Sequence, residues 1–111
     1  MPNNKRKSID LLHAIICDLG YPKLLKDNRL VNEVRLEVYR PVERDDAIMA
    51  CFIVQTTDQK EWKAEYAVRI NQMEHEALAR QMVMVDLGPR IDQWLVDMRI
   101  LVAIRTWKPD G

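Results

Sequence analysis

The chain has almost no glycine. Three glycines in 111 residues leave nothing from which to build a phosphate-cradling loop, and no GxSxG nucleophile elbow occurs. Cysteine is as scarce, with Cys17 and Cys51 alone, and His13 and His75 are the only histidines. Neither a CxxC pair nor an HExxH helix is present. His13 and Cys17 stand four apart on one predicted helix face, but a zinc site needs three or four ligands, so no metal is expected. A surplus of charge is missing too. Seventeen basic residues balance seventeen acidic ones, whereas a dedicated nucleic-acid binder draws affinity from excess Lys and Arg. No apolar run approaches the ~20 residues that span a bilayer. Ile9 to Leu19 is interrupted by Asp10, His13 and Asp18, which excludes a signal-peptide core. The expected location is therefore the cytoplasm, with both cysteines as buried, reduced thiols.

What is present is globular in character. Hydrophobic residues make up 48% and charged residues 31%, a balance that supports a core rather than disorder. The length fits a single domain over residues 1–111. Lys5, Arg6 and Lys7 cluster in the polar leader MPNNKRKS, and 17 less these three leaves 14 basic against 17 acidic residues elsewhere. Residues 1–7 are expected to form a flexible basic leader, open to weak contact with an anionic surface such as nucleic acid.

Ser8 suits a helix N-cap, with Asp10 in the first turn. Ile9, Leu12, Ile16 and Leu19 follow at helical spacing until Gly20, and Pro22 is expected to prevent the helix from resuming. Tyr21 to Asn32 then reads as a connection anchored by Leu24 and Leu25. From Glu33 to Arg40, Val34, Leu36 and Val38 alternate with polar residues, which makes a half-buried strand stopped by Pro41. Trp62 to Asn71 alternates likewise. Between them runs Ala47 to Thr57, AIMACFIVQTT, apolar on both of its faces. The three form an antiparallel meander. Gln72 to Leu87 is rich in helix formers, Gly88-Pro89 reads as a break, and Ile91, Trp94, Leu95 and Met98 mark a further helix. Arg99 to Trp107 continues that stripe as helix or, given its β-branched alternation, forms a fourth strand; the strand is the expectation. Trp62, Trp94 and Trp107 serve as core or interface anchors. The fold class is α+β, in the order α-β-β-β-α-α/β.

The middle strand carries the functional argument. Ile48, Ala50, Phe52 and Val54 point one way; Met49, Cys51 and Ile53 point the other. A strand apolar on both faces has something packed on each side. One face belongs to the domain's own helices. The other carries Tyr39, Met49, Cys51, Ile53 and Ala67, rimmed by Arg35, Glu37, Glu65 and Arg69. An apolar centre ringed by mixed charge is the pattern of a specific protein interface. The alternative is that the last helix, or the Leu24-Leu25 connection, covers this face within the monomer.

In the order of its elements the chain resembles the restriction-endonuclease-like nucleases. That resemblance implies Mg²⁺ held by Asp46 and Glu61, with Lys63 of the Glu61-Trp62-Lys63 run positioning the attack on phosphate. The run leaves a polar turn, and Asp58-Gln59-Lys60 repeats its pattern three residues earlier. Simple antiparallel pairing also sets Asp46 and Glu61 at opposite ends of the hairpin. The same element order looks like that of phage tail-terminator and head–tail joining proteins, which implies a subunit that assembles into rings. The expectation is a non-enzymatic interaction or assembly module that takes no cofactor and binds a protein partner or itself. A Mg²⁺-dependent nuclease is the alternative.

Overall fold

Helical spacing of apolar residues produces α1, Asn4–Asp18, whose buried stripe is Leu12, Ile15 and Ile16. The computed structural model describes residues 4–27 and 29–106. It starts α1 four residues before Ser8, so Lys5, Arg6 and Lys7 belong to the helix. Ser8 does not cap it; the residue lies a turn inside and is buried. Gly20 ends the helix with φ +86°, a left-handed conformation that costs glycine nothing. Contrary to expectation, the chain becomes helical again at once in α2, Tyr21–Lys26. Pro22 sits in its first turn, where the missing N–H has no helical partner to lose. Leu25 is buried and Leu24 exposed, so the expected connection is a helix with one anchor.

The meander is as anticipated. Strands β1 (Val31–Tyr39), β2 (Ala47–Thr56) and β3 (Glu61–Arg69) pair antiparallel in the order β1-β2-β3. The register aligns Leu36, Phe52 and Ala64 in one row, and Val38, Ala50 and Tyr66 in the next. These side chains line the inner face. Phe52 is fully buried there and meets Tyr66 edge-on, with centroids 6.5 Å apart and an interplanar angle of 73°. The Trp62 indole N–H donates to Thr56 Oγ1 at 2.9 Å across the β2–β3 turn. The helices bury their stripes on this face, and Leu12, Ile16, Leu25, Ile91, Met98 and Val102 join the inward residues of the sheet in one core.

After β3 one expectation holds in part and two fail. The helix predicted from Gln72 to Leu87 is divided into a 3₁₀ turn (Ile70–Met73), α3 (Glu76–Met82) and a π turn (Val83–Leu87). Gly88-Pro89 is no break, because α4, Gly88–Thr106, follows the π turn directly. A mid-helix proline loses a hydrogen bond and crowds the carbonyl four residues back. The wider π turn, in which the Gly88 N–H donates to the Val83 carbonyl, absorbs that misfit. Gly88 is there for space: a Cβ at this position would collide with the Tyr21 hydroxyl. Finally, the expected strand Arg99–Trp107 is helical through Thr106, and Trp107 lies outside the described residues. Ile91, Met98 and Val102 bury themselves along one side of α4, flanked by half-buried Trp94 and Leu95. Burying that side against the sheet outweighs the weak strand preference of its β-branched residues.

Candidate functional site

With all the helices on one face, the opposite face of the sheet is left to its own side chains. Pairing sets them in rows across the strands. Tyr39, Met49 and Ala67 form one row, Glu37, Cys51 and Glu65 the next, then Arg35, Ile53 and Lys63, then Glu33, Gln55 and Glu61. Among the described residues no helix packs over these rows, so neither α4 nor the Leu24-Leu25 segment covers them. Cys51 and Ile53 stand outside the helix-covered core. They are nevertheless 4% and 7% exposed.

Their cover comes from the flanking strands. Cross-strand neighbours lie about 4.5–5.5 Å apart at Cβ, so long side chains on β1 and β3 arch over the shorter ones on β2. Glu37 and Glu65 flank Cys51, while Arg35 and Lys63 flank Ile53. The Tyr39 hydroxyl donates to Glu65 Oε2 at 2.9 Å, which carries a strap from β1 over β2 to β3. This bond to a carboxylate, followed by burial, raises the Tyr39 pKa. Burial chiefly raises the Cys51 thiol; Glu65 and Glu37 add to the shift, and Lys63 and Arg35 oppose it. The apolar centre is narrow, with Met49 half-buried and Arg35, Lys63, Ala67 and Arg69 exposed around it.

The other sequence candidates do not gather into a site. Ala47 pairs with Arg69 and Gln55 with Glu61, so Asp46 and Glu61 lie at opposite ends of β2. At ~3.3 Å per residue their rows are roughly 30 Å apart. Asp46 instead pairs with Arg44 at 3.5 Å, and Glu61 with Lys63 at 3.9 Å. His13 and Cys17 do share a helix face, with Nδ1 and Sγ 3.7 Å apart. No third ligand joins them: among the described residues, no cluster of three His, Cys, Asp or Glu side chains could hold an ion. Cys17 corrects an expectation, because it is exposed, while Cys51 is buried; both are free thiols. The apolar stripe of α1 is carried by Leu12, Ile15 and Ile16, which leaves Cys17 on its outward side.

One surface escaped the sequence reading. Val96, Ile100 and Ile104 form an exposed aliphatic stripe along α4, with Leu101 beside it. Reading Arg99–Trp107 as a strand hid that stripe, since strand alternation put Ile100, Val102 and Ile104 together.

The two thiols offer a direct check on the cover over β2. Desolvation raises both pKa values, so each is held in its unreactive protonated form near neutral pH. Cys17 is expected to alkylate with iodoacetamide at least tenfold faster than Cys51, and both rates should climb as pH rises. Equal rates would show that the outer face opens freely. Set against known protein families, curated proteins and solved structures, the chain finds no match.

Proposed function

We propose that this chain is a non-enzymatic interaction module that binds another protein chain through the outer face of its sheet. The observation that carries this reading is the burial of Cys51 and Ile53 on a face that none of the described helices covers. The solvated face of an antiparallel sheet commonly alternates to polar residues. This one keeps an apolar centre under a thin layer of charged side chains, the core-and-rim arrangement of specific interfaces. The rim residues Arg35, Glu37, Glu65 and Arg69 supply charge for orientation, and half-buried Met49 and exposed Ala67 supply the apolar area still open to water beside Cys51 and Ile53.

Ile53→Asp tests the reading. The carboxylate would lie between Arg35 and Lys63, which favours its ionised form and keeps the fold. The expected result is loss of association, read as solution mass by light scattering or as retention of the partner on immobilised protein. The near-ultraviolet circular dichroism should be unchanged. Disappearance of that signal would instead mean that Ile53 belongs to the core. Mg²⁺-dependent DNA cleavage abolished by Glu61→Ala would replace this reading with the nuclease.

A further inference from the structure

We infer that the partner is a second copy of this chain, docked face to face about a two-fold axis that crosses the strands between the Cys51 and Ile53 rows. The inference rests on the interaction reading above and names its occupant. It follows from the order of charge along the sheet. The Cys51 row is acidic at both edges, with Glu37 on β1 and Glu65 on β3; the Ile53 row is basic at both, with Arg35 and Lys63.

A homodimer of closed symmetry uses the same patch on both copies, so the patch must complement itself. Two in-plane axes are available. An axis along the strands would lay Arg35 over the partner's Lys63 and Glu37 over the partner's Glu65, like charge upon like. An axis across the strands reverses the order of rows and keeps β1 over β1. It then places Arg35 against the partner's Glu37, Lys63 against the partner's Glu65, and the reciprocal pairs likewise. Only this arrangement is complementary. It also centres Cys51 and Ile53, which are only 4% and 7% exposed in the single chain, on each other, while the charges stay at the solvent-facing edges of a three-stranded sheet. Aligned sheets pack ~10 Å apart with strands within ~30° of one another, which suits this geometry.

The size of the patch sets how tight the dimer is. Four rows at ~6.8 Å spacing over three strands ~4.8 Å apart cover roughly 400 Å² per copy. The total of about 800 Å² is at the small, transient end of specific interfaces. Association is therefore concentration-dependent, and salt weakens it by screening the edge pairs.

Sedimentation equilibrium of the purified chain from micromolar to millimolar concentration tests this with two double variants. Arg35→Glu with Lys63→Glu makes both rows acidic; Glu37→Lys with Glu65→Lys makes both basic. Each variant alone is expected to self-associate at least tenfold more weakly than the natural chain, with circular dichroism unchanged. Their equimolar mixture is expected to recover the dimer mass, because an acidic patch then meets a basic one. Ile100→Glu, on the α4 stripe, should leave association intact. A natural chain that stays monomeric throughout, or a mixture that fails to associate where the natural chain does, would overturn the inference. In the first case, sensitivity of a different bound protein to Ile53→Asp would keep the interaction reading alive. A dimer indifferent to the charge variants and to Ile53→Asp, yet abolished by Ile100→Glu, would overturn both.

Discussion

Phe52→Ala is expected to remove most of the stability of this protein. Phe52 lies at the middle of the central strand, fully buried, between Leu36 on β1 and Ala64 on β3. Truncating a buried aromatic costs ~3–5 kcal/mol through lost transfer energy and the cavity left behind. The edge-on contact with Tyr66 adds ~0.5–1.5 kcal/mol. The site is poorly placed to collapse, since Ala64 has no side chain to swing into the space. A typical domain has only ~5–15 kcal/mol to lose, so the variant should unfold at a far lower urea concentration or fail to fold. A loss below ~1 kcal/mol in urea denaturation would show that the sheet does not pack through this ring. Trp94→Ala should do less harm than full burial would imply, because Trp94 keeps part of its surface in water.

Val102→Asp is expected to be nearly as damaging, while Ile100→Asp and Ile104→Asp are tolerated. Val102 is 0% exposed, whereas Ile100 and Ile104 are 53% and 65% exposed. An isolated carboxylate in an apolar site carries a desolvation penalty of several kcal/mol or forces itself to stay protonated. Exposed positions on a helix carry no such penalty, and substitutions there usually change stability by less than ~0.5 kcal/mol. The pattern distinguishes helix from strand. In a strand, 100, 102 and 104 share a face and would respond alike; in α4, only the middle one faces the core. Equal sensitivity of all three, measured by thermal and urea unfolding, would restore the strand.

The meander was legible because its signal is local. Alternation of Val34, Leu36 and Val38, and of Trp62, Ala64, Tyr66 and Val68, has the two-residue period that no helix shares. The short polar links leave only hairpins to join the strands. The outer-face residues were legible by the same parity: once a strand is assigned, every second side chain has a known side. Helix ends were not. The start of α1 before Ser8 and the restart at Pro22 differ from the simplest local signals, and the passage through Gly88-Pro89 involves a tertiary partner. That partner is Tyr21, and two segments 67 positions apart in sequence must meet before the glycine has a purpose.

By itself, then, the sequence determined that this is an α+β domain with a three-stranded antiparallel sheet, and that its middle strand is apolar on both faces. Side-chain period and turn composition suffice for that. Only the tertiary structure decided which face the helices cover, that Arg99–Thr106 extends α4 rather than the sheet, and that Cys17 is exposed while Cys51, flanked by Glu37 and Glu65, is buried. Those outcomes depend on burial against residues distant in the chain. Val102 is buried where its neighbours are not because the inner face of the sheet accepts one side of a helix, and local propensity carries no knowledge of that surface.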